Sequence, residues 1–249
     1  MSFDGKTVCI AASGSDAGVS CAVRFLKEGA LVALYYDEPA RAEALRKALK
    51  DAACDAENRL KLIQIRDFKD PDELIKAGEK VASEFQKIDI AVAAVTCPDS
   101  DKGLAMTEEE YQAILSHISS GTLFFLQPLL KNMQAHDYGR VAVVMSIAGR
   151  TNLTSVSPAY AAANASLGGI VRNIASTSGV HFVTANAIAV GPLSDGSYKA
   201  GTGEVKGIIK GHETGTPEDV AKAAAYLTDD LASWTTGEIL DLNGGFMML

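Results

Sequence analysis

Three groups of residues in this chain could do chemistry: the glycines of the segment SGSDAGVS (13–20), the hydroxyls of Ser146 and Tyr160, and the cysteines and histidines. A glycine-rich turn between a strand and a helix lets the backbone approach a pyrophosphate and aims a helix N-terminus at its charge. A tyrosine serves as a proton-transfer base only if something lowers its pKa. At an ordinary value of about 10, only about 0.1% of it is ionised at neutral pH. A shift of about three units corresponds to roughly 4 kcal/mol and calls for a nearby cation. The residues that follow Tyr160 supply none, since Asn164 is neutral and Arg172 is the nearest cation in that run. Metal and thiol chemistry find no pattern. Cys9, Cys21, Cys54 and Cys97 are scattered without Cys-x-x-Cys spacing, and His117, His136, His181 and His212 form no ligand pair.

These residues need a scaffold, and the composition says which kind. The chain has 249 residues, 47% of them hydrophobic and 22% charged, which suits one globular α/β domain over 1–249 rather than a disordered chain. With 23 basic against 31 acidic residues the net charge is −8, which repels phosphate backbones, so nucleic acid is not expected as a partner. Unpatterned thiols fit a reducing compartment. No apolar run reaches about 18 residues without a polar interruption, and the first residues lack the apolar region of a signal peptide. The expectation is a cytoplasmic protein with no membrane association.

Apolar runs of strand length alternate with helical patterns from end to end, the signature of βαβ units. Strands are predicted over 7–12, 31–36, 60–65, 88–95, 140–146, 180–190 and 237–242. Helices are predicted over 18–28, 39–53, 107–134 and 158–178, with another opening at Asp70, Pro71 and Glu73 as cap, first-position proline and capping-box acid. A sixth is capped by Thr216, Pro217, Glu218 and Asp219 and runs to Leu227. Seven strands and six helices describe a doubly wound Rossmann-type α/β domain with a seven-stranded parallel sheet.

In this order the segments SGSDAGVS, IRDFKDPDEL, DIAV, GRVAVVMSIAG, SPAYAAANASL, NAIAVGP and GTPEDVAKAAAYL resemble the short-chain dehydrogenase/reductase family over the whole chain. The resemblance implies that fold, and it implies site residues one by one. The family loop Thr-Gly-x-x-x-Gly-Ile-Gly aligns with Ser13 to Ser20, which keeps Gly14 and Gly18, places Ser20 at the third glycine and puts the negative Asp16 in the turn. Tyr36 stands at the family's ribose-binding acid and Asp37 follows it; Asp37 either favours NAD over NADP or caps the next helix. Asp67 aligns with the acid beside the adenine and also begins a turn. The family's Asn-Asn-Ala-Gly strand is Ala93, Ala94, Val95 and Thr96 here, with a β-branched residue where glycine lets the ribose approach.

The resembling enzymes use asparagine, serine, tyrosine and lysine together: tyrosine exchanges the proton, serine holds the oxygen, lysine lowers the tyrosine pKa, and asparagine anchors a relay. Ser146 and Tyr160 remain as catalytic candidates, but Asn164 replaces the lysine and Ile118 the asparagine. Ser146, Tyr160, Gly14, Gly18, Asp37 and Asp67 are therefore expected to be vestigial, while the scaffold motifs at Asn186, 217–220 and 243–245 are intact.

This pattern implies a non-catalytic subunit that assembles with an active homologue. No cofactor is expected in this chain, and NAD is expected in the partner, an alcohol or hydroxyacyl-CoA dehydrogenase. The family's tetramers use two long helices and the C-terminal tail. Here the helix over 158–178 is rich in small residues and the tail ends apolar, so a heterotetramer is expected, with tail packing on its own domain as the alternative. Lys199, Lys206 and Lys210 could meet an anionic CoA or belong to a solvated loop. Two other readings stay open: an atypical NAD-dependent alcohol dehydrogenase, and a cofactor-independent enzyme like the halohydrin dehalogenases, which keep an arginine where Asn164 stands.

Overall fold

The computed structural model describes residues 3–51, 56, 58–151, 156–198, 208–209 and 214–248. Seven strands form one parallel sheet: β1 (Thr7–Ser13), β2 (Leu31–Tyr36), β3 (Leu60–Gln64), β4 (Ile90–Val95), β5 (Gly139–Ser146), β6 (Val183–Val190) and β7 (Ile239–Leu242). Their order is β3-β2-β1-β4-β5-β6-β7. β1, β4, β5 and β6 are buried along their whole length, as strands covered by helices on both faces must be. The order reverses between β1 and β4, and the crevice at the carboxyl ends of those two strands is where this fold places ligands.

The helices are α1 (Ala17–Lys27), α2 (Pro39–Asp51), α3 (Pro71–Phe85), α4 (Glu108–Leu115), α5 (Gly121–Ala135), α6 (Pro158–Ser178) and α7 (Pro217–Thr228). One core layer joins α3, α5 and α6 to one sheet face, and the other joins α1 and α7 to the opposite face. Asp70 caps α3 through the N–H groups of Asp72 and Glu73. Glu73, however, does not complete a capping box there. Its carboxylate accepts from the N–H groups of Arg66 and Asp67 and pins the turn before the helix. Thr216 and Asp219 do form a reciprocal box at α7.

The helix predicted over 107–134 is interrupted: a π-helical turn, Ser116–Ser120, separates α4 from α5. A π turn inserts an extra residue and re-aims side chains, often beside a site. The run Glu108–Ala135 has the length and apolar composition to cross a membrane, yet its apolar face packs on α3, α6 and β4. The strand predicted over 180–190 begins at Val183, because Gly179–His181 is a 3-10 turn and Phe182 is left-handed.

Candidate functional site

At the switch point β1 ends in Ser13 and β4 in Val95, with Ser13 paired to Val95 and the Thr96 N–H donating to the Ser13 carbonyl at 3.0 Å. Gly14 makes the turn off β1 with φ +74°. A Cβ there would stand 2.0 Å from the Thr96 carbonyl oxygen, so the loop lies directly on the end of β4.

The structure corrects the alignment of this loop. A Cβ on Gly18 would stand 2.5 Å from the Ala12 Cβ, so Gly18 performs the close helix–strand packing that belongs to the third glycine. The second glycine, two residues earlier, is therefore Asp16, and Ser20 already lies within α1. The residue that should admit a pyrophosphate carries a carboxylate, which stands 3.6 Å from the Arg41 guanidinium. Sequence reasoning overlooked Arg41. It is buried, donates to the Ser15 carbonyl at 2.6 Å, and lies within 3.6 Å of Asp37 as well. Its signal was a basic residue one turn into the helix after β2.

Asp37 points inward. One carboxylate oxygen accepts from the Ser13 hydroxyl, and the other accepts from the Glu38 N–H at 2.9 Å. Ser13 also stands 2.8 Å from the His117 Nε2. A hydroxyl that donates its one proton to a carboxylate can only accept from the imidazole, so Nε2 carries the hydrogen. This half-buried chain, Asp37–Ser13–His117, was not legible from sequence because His117 is delivered by the π turn. Burial lowers the His117 pKa, outweighing the opposite pull of Asp37 and Asp67.

A depressed histidine binds fewer protons folded than unfolded, so its stabilising contribution is complete above the ordinary value near 6.5 and is lost as pH falls below it. Thermal melts between pH 5 and 7.5 are expected to show stability declining toward the acid side, and His117→Gln is expected to remove that slope. An unchanged slope in the variant would contradict a half-buried, neutral His117.

Asp67 is half exposed, accepts from the Lys69 N–H at 2.9 Å and pairs with its ammonium at 3.6 Å, which is the turn role. Tyr160 is 2% exposed, and its hydroxyl stands 3.1 Å from the Thr96 Oγ1. Desolvation pushes its pKa up to about 12, against the weaker effects of hydrogen bonds from Thr96 and Ser146. Ser146 Oγ accepts from the Ala148 N–H at 3.1 Å, capping a short turn. Asn164 is buried and satisfied on both sides: its Oδ1 accepts from the Ser146 N–H at 2.7 Å, and its Nδ2 donates to the Tyr160 carbonyl at 2.9 Å. Ile118 is fully buried in the core.

Beside these residues lies a cavity of about 540 Å³, whose walls include Tyr160, Asp16, Asp99, Asp101, Asp195 and Arg41. Four carboxylates against one guanidinium suit neither of a dinucleotide's phosphates. The Asp195 carboxylate also reaches the start of α1, accepting from the Asp16 N–H at 2.9 Å. The residues present therefore do not match what a dinucleotide needs at its ribose, its pyrophosphate or its approach past Thr96. Lys199, Lys206 and Lys210 lie outside the described residues. Among the described residues no group of His, Cys, Asp and Glu could hold a metal, and Cys9, Cys21 and Cys97 are free thiols. Burial raises the Cys97 pKa to about 12.

The family model described as enoyl-(acyl carrier protein) reductase matches residues 11–247. The 3-oxoacyl-[acyl-carrier-protein] reductase FabG of Rickettsia felis is 25% identical, and that of Escherichia coli K12 26%, each alignment covering all of both chains. Among solved structures, a short-chain dehydrogenase/reductase from Serratia marcescens superposes with a TM-score of 0.85 at 24% identity over 99% of each chain. A second, gox2181, gives 0.84 at 20% identity over 98% of this chain and 96% of its own. With the strand order, the switch-point crevice and the serine–tyrosine pair in place, the chain belongs to the short-chain dehydrogenase/reductase family.

Proposed function

We propose that this chain is a non-catalytic member of its family that assembles with an active, NAD-dependent homologue and supports it structurally, without binding a dinucleotide itself. The observation that carries this reading is the state of Tyr160. Its phenol is buried with a pKa near 12, its hydroxyl is engaged by Thr96, and Asn164 is spent on two backbone groups. At neutral pH the ionised fraction is about a hundredth of that of a free tyrosine, which is the wrong direction for a base.

Assembly would use the small-residue face of α6, the interrupted α4–α5 helix and the C-terminal tail, forming a heterotetramer in the cytoplasm. Asn243 clasps that tail through the N–H groups of Gly245 and Met247, and Phe246 packs on the core, while Met248 is 78% exposed. Leu231 and Trp234, at 89% and 99% exposure, are further apolar side chains for a partner to cover. Overall resemblance and site loss suggest the inactive subunit of 2-(α-hydroxybenzyl)succinyl-CoA dehydrogenase, a heteromeric enzyme of anaerobic toluene degradation, so a hydroxyacyl-CoA is the substrate class proposed for the assembly.

The competing reading is an active reductase of the kind its FabG relatives are named for, and the surviving contact of Ser146 and Tyr160 favours it. Calorimetric titration with NAD and NADH to millimolar concentration separates the two. No binding by the folded chain, with turnover only in a complex with a homologue, is expected. Saturable binding with turnover by this chain alone would establish the reductase instead.

A further inference from the structure

We propose that the segment 192–198 is a built-in cap on the phosphate end of the cofactor groove, in which the Asp195 carboxylate takes the place of a dinucleotide phosphate at the N-terminus of α1. The inference rests on the reading of this chain as one that binds no dinucleotide, and it names what fills the cradle instead.

The first turn of a helix leaves backbone N–H groups without partners and carries a partial positive charge, so an emptied phosphate cradle exposes an unmet demand for an anion. Asp195 meets it. One carboxylate oxygen accepts from the Asp16 N–H at 2.9 Å, and the other accepts from the N–H and hydroxyl of Ser197 at 2.9 and 2.6 Å. The Ser197 contacts fix the carboxylate's orientation before it reaches the helix.

The segment itself is closed and anchored at both ends. The Leu193 N–H donates to the Ser197 carbonyl, and the Gly196 N–H donates to that of Leu193. The Ser194 N–H donates to the Gly215 carbonyl, and the Gly215 N–H donates to that of Pro192. Leu193 and Tyr198 are buried at 4% and 2% exposure in the core layer that contains Ala17 and Cys21 of α1. Tyr198 holds φ +51°, a left-handed backbone that a bulky residue keeps only where its surroundings over-determine it.

Here the anion at the end of α1 is part of the chain, so this contact forms without NAD. That independence suits a part whose task is to hold a partner.

The test is an anion rescue. Thermal melts of the full chain and of Asp195→Ala are compared in sodium pyrophosphate and in chloride of equal ionic strength. The unaltered chain is expected to be indifferent to pyrophosphate. Asp195→Ala is expected to melt lower and to regain about 3–6 °C at ten times the pyrophosphate dissociation constant. Asp16→Gly/Asp195→Ala, with the repelling carboxylate removed, is expected to respond at lower concentration. If Asp195→Ala does not fold, Asp195→Asn keeps an acceptor without the charge and is read in the same way.

Equal stabilisation of the unaltered chain by pyrophosphate, or no response from the variants, would overturn the proposal. Saturable NADH binding by the unaltered chain would instead overturn the reading of function on which it rests.

Discussion

Gly14→Ala is expected to lower the melting midpoint by about 6–12 °C. The residue has φ +74°, where an L side chain costs about 1–2 kcal/mol. The new methyl would also meet the Thr96 carbonyl oxygen, for which 2.0 Å is far inside contact distance, and overpacking against backbone costs about 1–3 kcal/mol. Together these come to about 3 kcal/mol, and each kcal/mol moves the midpoint by about 2–4 °C in a chain of this size. Gly169→Ala is the matched control. It lies inside α6 with nothing within 4 Å of the added carbon, so helix propensity makes it neutral or slightly stabilising. Circular dichroism melts of both decide the matter. A Gly14→Ala chain that melts with its parent would mean that the loop stands away from β4 and that the groove is open to a ribose.

Asn164→Lys restores the residue on which the family's proton transfer depends, and it is expected to unfold the site rather than revive it. Asn164 is 1% exposed and supplies the acceptor for the Ser146 N–H. Lysine has no acceptor, so that amide is orphaned at about 1–3 kcal/mol. The ammonium would also be buried among Tyr160, Ser146 and the core without a carboxylate partner, and an uncompensated buried charge costs about 3–5 kcal/mol. Urea titration is expected to show a loss of several kcal/mol, and NADH oxidation with a ketone substrate is expected to stay at background. Recovery of NADH-dependent turnover by this single substitution would show that the defects at Asp16, Thr96 and Ile118 are tolerated, and the chain would then be a dehydrogenase lacking one residue.

The fold was legible because its signals are local. Strand runs such as 140–146 and the capped start at Thr216 state their own conformation, and α6 begins and ends where its pattern does. The replacements at Asn164 and Ile118 were legible because the residue type alone removes a charge or a polar group. What stayed hidden depended on where a neighbour lies in space. Gly18 takes the third-glycine role from Ser20 once Gly18 is seen against Ala12, a contact between a helix and a strand that spacing does not contain. His117 reaches Ser13 only because a π turn rotates it there, and π turns have no residue pattern to announce them.

The sequence by itself therefore determined the seven-stranded parallel sheet and the neutral residue at the lysine position after Tyr160, since periodicity, capping and residue charge are properties of neighbouring residues. Only the tertiary structure decided what gathers at the end of β1. Arg41, Asp37, His117 and Asp195 converge on the end of β1 from four separate elements, and their hydrogen bonds and ion pairs exist only after the chain has folded.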